Sequence, residues 1–413
     1  MGVCQPYGRT RSLYWPAVLN RVRSLPANLR QYLIITANYW AFTLSDGALR
    51  MLVVLYFHQL GYDPLSIAAL FLFYEAFGVV TNLVGGWLGA LLGLNRTMHI
   101  GTSLQLVALA MLLVPAEYLG IPLVMASQAL SGIAKDLNKM SAKSAIKSLV
   151  ANDQQQALFR WVAILTGSKN TLKGVGFFIG GGLLSWLGFQ GAVASFLALL
   201  CVIWLLSLFS LNNDLGRASA KPKFTQLLSV SRTINVLSAA RLFLFASRDI
   251  WFVVALPVSL ASQFGWTFWQ VGGLMAAWVI GYGVIQAVTP RWFNAESAKP
   301  AVMQWGLVLS LMPLILGSLS VFGVLSPWML IVGLVLYASL FAINSALHSY
   351  IIVAEAKHDG VSLDVGFYYM SNAMGRLLGT ILSGAIYQWA GLGWCLLMSA
   401  LAVLISALIA RRL

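Results

Sequence analysis

Residues 173–188 read KGVGFFIGGGLLSWLG, and residues 376–391 read RLLGTILSGAIYQWAG. Lys173, Gly176, Gly181, Trp186 and Gly188 return as Arg376, Gly379, Gly384, Trp389 and Gly391, each 203 positions further on. Asp46 and Asp249 share that offset. Upstream, Gln59-Leu60-Gly61-Tyr62 has a counterpart in Gln263-Phe264-Gly265-Trp266. A cation, spaced glycines and a closing Trp and Gly, repeated once at half the chain length, describe a chain made of two copies of one unit.

Composition says what the units are. Of 413 residues, 59% are hydrophobic and 9% charged, with mean hydropathy +0.81. A soluble domain carries about 25% charged residues, so lipid is the solvent for most of this chain. A membrane-crossing helix needs roughly 20 mostly apolar residues. The apolar runs predict twelve, near 30–58, 64–92, 97–116, 120–148, 157–187, 189–211, 233–261, 267–292, 301–323, 327–356, 362–390 and 393–410. The expected fold is an all-α membrane protein. It comprises a cytoplasmic tail at 1–28, a six-helix half at 29–211, a central cytoplasmic loop at 212–232 and a second half at 233–413. Residues 1–28 hold Arg9, Arg11, Arg21 and Arg23 without an apolar stretch of the signal-peptide kind.

The formal charge of +14 would suit a nucleic-acid binder, but its placement points to a bilayer. Connections at 59–63, 117–120, 188–190, 262–266, 324–326 and 391–392 hold no Lys or Arg. Four of the five alternate connections hold basic residues: Arg96, then Arg217, Lys221, Lys223 and Arg232, then Lys299, then Lys357. This bias places both termini in the cytoplasm. Cys4, Cys201 and Cys395 form no Cys or Cys/His cluster, so neither a metal nor a cofactor is expected. His58, His99, His348 and His358 are dispersed, and no HExxH or G-x-S-x-G motif marks an enzyme.

Charges within the predicted spans carry the functional reading. A charge at the bilayer centre costs at least ~2.5 kcal/mol and normally faces the bundle interior or a water-filled cavity. Predicted helices 3, 6, 9 and 12 hold no Lys, Arg, Asp or Glu; apart from Arg291 at the end of helix 8, the charges fall on helices 1, 2, 4, 5, 7, 10 and 11. Asp46 and Arg50 lie four apart and face the same way, so they can pair. Glu75 stands alone, either as a protonated coupling group or as a neutral, hydrogen-bonded interior side chain. Lys135, Lys139, Lys143 and Lys147 form a stripe beside Asp136 and Asn138. Lys135 is expected in the cavity lining, and Lys143 and Lys147 at a helix end, snorkelling to lipid headgroups. Lys169, Lys173, Gly176 and Gly180 share one face, as do Asn372, Arg376, Gly379 and Ser383. Arg241 and Arg248 share another, with Asp249 alongside Arg248 as a structural partner or part of the cavity.

The expected site therefore holds the cations Arg50, Lys135, Lys139, Lys169, Lys173, Arg241, Arg248 and Arg376 with Asn372. Asp46, Glu75, Asp136 and Asp249 serve as coupling or structural ion-pair residues. Eight cations against four carboxylates leave four positive charges in excess. A multiply charged anion of the phosphate kind would relieve that excess, since Arg offers a fork to tetrahedral oxyanions and Lys a point charge.

Residues 86–96, GWLGALLGLNR, resemble the loop signature of the major facilitator superfamily, with Ala90 where the signature has aspartate. That substitution removes the usual gating ion pair. Gly167, Gly176 and Gly180 follow the antiporter glycine motif, with Gly181 replacing its proline, a hint of export. Residues 38–50, NYWAFTLSDGALR, and 131–145, SGIAKDLNKMSAKSA, are more distinctive. Together with Ser238-Ala239-Ala240-Arg241 and 248–257, RDIWFVVALP, they resemble the organoarsenical efflux permease family ArsJ of bacterial arsenic-resistance operons.

That resemblance implies export of 1-arseno-3-phosphoglycerate across the inner membrane, with glyceraldehyde-3-phosphate dehydrogenase as the functional partner that makes it from arsenate. Alternatives are an organophosphate exchanger or proton-coupled anion symporter of the same fold, and a non-transporting membrane sensor. A thiol-based arsenite pump is disfavoured, because trivalent arsenic seeks soft thiolates and Cys201 and Cys395 fall on peripheral helices.

Overall fold

The computed structural model describes residues 27–61, 70, 72–150, 153–211, 215–218, 231–358 and 361–413. The expected tail as far as residue 26, and the expected central loop at 212–214 and 219–230, lie outside the described residues. Among the described residues there are helices and no strands. They are α1 (Ala27–Gln59), α2 (Leu72–Leu92), α3 (Leu94–Met111) and α4 (Ile121–Leu149). The run Gln155–Ser210 divides at Gly188 into α5 (155–187) and α6 (189–210). Next come α7 (Arg232–Phe252 continued by Ala255–Ser262), α8 (Phe268–Val288), α9 (Ala298–Val321) and α10 (Pro327–Glu355). The run Val361–Ala410 divides at Gly391 into α11 (361–390) and α12 (392–410).

Eight of these runs are long and apolar enough to cross a membrane. Dividing the two bent runs and adding α3 and α4 gives the twelve helices expected. α4 is the least apolar because its lysine stripe lies within it.

Local chemistry sets the breaks. Gly188 has φ 69° and ψ −179°, and Gly391 φ 78° and ψ −174°. Side chains other than hydrogen scarcely enter that region, so the last glycine of each repeat turns the chain without a loop. Pro257 lacks an N–H and its ring crowds the carbonyl four residues back, which interrupts α7 at 253–254. The freed Ala255 N–H donates to Ser383 Oγ at 3.2 Å. α8 starts in a capping box of Thr267 and Gln270. α10 starts from Ser326, whose Oγ accepts Met329 N–H, with Pro327 in the first turn.

Among the described residues, the apolar core falls into three clusters. One draws only on the first half, including Phe42, Leu52 and Phe196. A second draws only on the second half, including Trp251, Tyr337 and Leu396. The third joins both, with Tyr39 and Phe159 against Tyr350 and Tyr368, at the end where α4 leads into α5 and α10 into α11. The halves are thus packed together at that end and keep separate cores towards the other. Gly86 and Gly366 permit a close approach there: a Cβ on Gly86 would lie 2.6 Å from Ser362 O, and one on Gly366 2.8 Å from Gly86 Cα. Ser362 Oγ donates across the same contact to Gly86 O at 2.8 Å.

Near the parted end, the repeat's Trp186 and Trp389 are 85% and 84% exposed, the placement of tryptophans at a membrane–water boundary. Two supporting helices gain charge in their first turns, where the expectation had none. α3 starts at Leu94 and so includes Arg96. α9 starts at Ala298 and includes Lys299, whose Nζ meets Glu355 at 2.7 Å.

Candidate functional site

The intramembrane charges gather between the halves. Glu75 Oε1 on α2 accepts from Arg50 Nη2 on α1 at 3.1 Å and from Arg376 Nη2 on α11 at 2.7 Å. Arg376 Nε also donates to Asp249 Oδ2 on α7 at 3.2 Å, and Arg248 Nε donates to Asp249 Oδ1 at 2.6 Å. Five side chains from four helices thus form one ionic chain across both halves. Arg50, Glu75 and Arg376 remain 26–27% exposed, whereas Asp249 is buried. The chain is therefore sealed on its α7 side and open at its centre.

A second group lies on α4. Asp136 accepts from Lys139 Nζ and stands 3.9 Å from Lys135 Nζ. Lys135 Nζ sits 3.7 Å from the centre of the Tyr74 ring, and the Arg50 guanidinium 4.7 Å from it. Tyr74 OH donates to both oxygens of Asp46, at 2.7 and 2.9 Å. One tyrosine thereby connects Asp46 to the cations of α1 and α4.

On α5, Lys169 and Lys173 are half-buried. Gly176 and Gly180, on the same face, press against α1: a Cβ on Gly180 would lie 2.7 Å from Ala48 O. Asn170 Nδ2 donates to Gln286 Oε1 on α8 at 2.8 Å, and Gln286 Nε2 to Ser345 Oγ on α10 at 3.1 Å. Ser345 Oγ also accepts from Arg241 Nη1 at 3.0 Å, and Arg241 Nε donates to Asn372 Oδ1 at 3.0 Å. A run of neutral partners therefore carries Arg241 across to the first half.

Two expectations are corrected. Glu75 is not solitary: the turns of α1 and α11 bring one guanidinium from each half onto its Oε1, which local spacing in α2 does not reveal. Lys143 and Lys147 do not snorkel to headgroups. They are 2% and 8% exposed; Lys143 Nζ donates to Tyr369 OH, and Lys147 Nζ to Ala354 O at 2.7 Å. α4 runs between the halves to its end at Leu149, so its stripe faces α10 and α11. The pairing open to Asp46 and Arg50 takes a longer route, through Tyr74 to Asp46 and through Glu75 to Arg50. Sequence reading missed Tyr74, Tyr369, Gln286 and Ser345. Only Tyr74, next to Glu75 in the chain, left a local trace.

At the loop 86–96, the connection is made by backbone. Ala90, in place of an acid, accepts Ala218 N–H at 2.9 Å, and Leu94 N–H donates to Leu215 O at 2.8 Å.

Comparison with known proteins agrees with this architecture. A family model described as Major Facilitator Superfamily matches residues 35–251 and 237–413. Among curated proteins, none matches the chain. Among solved structures, the human organic anion transporter MFSD10 (TETRAN) superposes with TM-score 0.74 at 17% identity, covering 94% of this chain and 100% of that one. The fucose:proton symporter FucP of E. coli gives 0.69 at 13% identity, over 93% and 99%. A bacterial homologue of the iron transporter ferroportin, in an outward-facing state, gives 0.72 at 13% identity, over 93% and 99%. At such identities the likeness is one of fold.

Proposed function

Because this chain belongs to the major facilitator superfamily, whose members are membrane transporters, we propose that it exports a small, multiply charged organic anion, 1-arseno-3-phosphoglycerate, and thereby confers arsenate resistance. The observation that carries the reading is the cationic lining shared by the halves. Arg50 and Arg376 meet from opposite halves on a single carboxylate oxygen. Lys169, Lys173, Lys143 and Arg241 stand nearby, with no ion pair to any described carboxylate. Buried or half-buried cations in that excess attract a polyanion. The arsenic in the cargo comes from the likeness of residues 38–50, 131–145 and 248–257 to the organoarsenical permeases. Glyceraldehyde-3-phosphate dehydrogenase is the functional partner that makes the cargo, and the transporter itself performs no chemistry on it.

The positive-inside bias supports both termini in the cytoplasm, and the resemblance to the bacterial permeases implies the inner membrane. The end at which the halves are packed together would then face the cytoplasm, and the end with separate cores the outside. The halves rock about the ionic chain. Opening the packed end frees Lys143 and Lys147 from Tyr369 and Ala354 and exposes them to incoming anions. Export of an anion from a negative-inside cell is downhill by ~2.3 kcal/mol per charge per 100 mV, so coupling to another ion is not required. A second reading, an organophosphate exchanger or proton-coupled symporter, rests on Glu75: a proton arriving there would release both guanidiniums to a cargo.

The test is arsenate resistance and arsenic retention in a sensitive bacterium carrying this gene alone or beside a glyceraldehyde-3-phosphate dehydrogenase gene. Resistance with lowered cell arsenic only in the pair is expected. No protection by the pair, with the protein present in the membrane, removes the arsenylated cargo and leaves the organophosphate class.

A further inference from the structure

Two layers of cations lie between the halves, and they differ in one respect. The layer at Arg50, Arg376, Arg248, Lys135 and Lys139 is interleaved with Glu75, Asp249, Asp136 and Asp46. The other lies towards the packed end. On α7, Arg241 precedes Arg248 by seven residues, a rise of about 10 Å. Here Lys143 of the first half and Arg241 of the second are each 2% exposed. Both address the same turn of α11. Lys143 Nζ donates to Tyr369 OH, and Arg241 Nε to Asn372 Oδ1 at 3.0 Å. The remaining acceptors of Arg241 are Ser345 O and Oγ, at 3.2 and 3.0 Å. Every one of these acceptors is neutral. Among the described residues, the charged side chains that bear most on Lys143 are Lys169, Arg241 and Lys139, all cations, of which Lys139 is paired with Asp136.

Neutral acceptors satisfy hydrogen bonds but leave the charge uncompensated, and an uncompensated buried charge is costly. The layer also holds unused donor capacity. Tyr39 Oη, on a side chain 1% exposed, has no hydrogen-bond partner among the described residues, and neither nitrogen of the fully buried His348 has one.

We propose that the Lys143–Arg241 layer is the seat of one tetrahedral oxyanion group of the cargo, of the phosphate class, separate from the ion-paired layer around Glu75. This deepens the anion-transport reading and rests on it. An ammonium from one half, a guanidinium from the other and the phenols of Tyr369 and Tyr39 supply the donor types that such a group takes. The group replaces the missing counter-charge and bridges the halves. An anion seated there holds the packed end shut, and its departure removes the reason for Lys143 and Arg241 to stay together.

The test uses the purified full-length protein in lipid nanodiscs, with inorganic phosphate and 3-phosphoglycerate as probes in calorimetric titration, and melting of the unliganded protein alongside. The wild type binds at least one of the probes. Lys143→Met weakens that binding tenfold or more. Asn372→Asp keeps the shape of the side chain and places a tethered carboxylate beside Arg241. It raises the melting temperature of the unliganded protein and weakens binding tenfold or more, because the seat is already filled. If Lys143→Met fails to fold, Asn372→Asp decides alone. Binding within twofold of wild type in Asn372→Asp, or no binding of either probe by the wild type, overturns the seat. The cargo reading fails separately: phosphate binding that follows this pattern without transport of any organic anion keeps the seat and removes the function. Normal transport by both variants removes the seat and keeps the function.

Discussion

Glu75 and Arg376 lie 301 positions apart in the chain, yet Nη2 of the arginine meets Oε1 of the glutamate at 2.7 Å. The same oxygen takes Arg50 at 3.1 Å, so a single carboxylate holds one cation from each half. Breaking a buried ion pair by removing one partner costs more than the pair itself contributes. With these groups about a quarter exposed, Glu75→Gln is expected to cost about 1–3 kcal/mol after allowing for screening. Thermal unfolding in detergent would show it as a lowered midpoint. The double variant Glu75→Gln/Arg376→Gln regains part of the loss, because it removes one stranded cation. Additive losses in the two variants would show that the residues do not act as a pair.

The fold was legible because lipid imposes long apolar runs and because the repeat is written in glycines. The offset that links Gly188 to Gly391 reappears as two matching helix breaks with positive φ. The charged residues of the site were legible by type and by helix. Their partners were not, since an ion pair such as Glu75–Arg376 depends on the packing of α2 against α11, which no local spacing encodes. Lys143 shows the limit most clearly. Its place six residues from the end of α4 suggested the headgroup region, and only the packing of α4 against α11 reveals it as buried between the halves.

The packed end can be trapped covalently. A Cβ on Gly89 would lie 3.0 Å from Ser362 Cβ, close to the ~3.5–4.5 Å that a disulfide spans, with slight relaxation. In a background lacking Cys4, Cys201 and Cys395, Gly89→Cys/Ser362→Cys is expected to cross-link under mild oxidation in membranes and to stop transport until reduced. Cross-linked protein that still transports would mean that these helices need not separate.

Glycines that carry helix contacts should differ sharply from glycines that do not. A Cβ on Gly379 would lie 2.7 Å from Ala246 O and 2.9 Å from Asp249 Cβ, whereas one on Gly384 meets open space. Gly379→Val is expected to destabilise by about 1–3 kcal/mol through overpacking. Gly384→Ala should be neutral or gain up to ~1 kcal/mol of helix propensity. Melting temperatures in detergent check both, and equal effects at the two positions would contradict the α7–α11 contact.

Topology is open to a labelling test. With the native cysteines replaced, Arg411→Cys, just beyond α12, is expected to resist a membrane-impermeant maleimide in intact cells and to react after permeabilisation. A cysteine at Trp328, 76% exposed at the opposite end of the bundle, should react in intact cells. The reverse pattern would invert the orientation deduced from the charge bias.

Outward movement of an arsenylated organic anion through a cationic interior can be followed in everted membrane vesicles. Arsenate, glyceraldehyde-3-phosphate, NAD and glyceraldehyde-3-phosphate dehydrogenase are supplied outside, so that 1-arseno-3-phosphoglycerate forms at the face that was cytoplasmic. Arsenic is expected to accumulate inside vesicles containing this protein only when the dehydrogenase is active, and Arg376→Gln to lower the accumulation at least tenfold. Vesicles that accumulate no more arsenic than vesicles without the protein would contradict that movement.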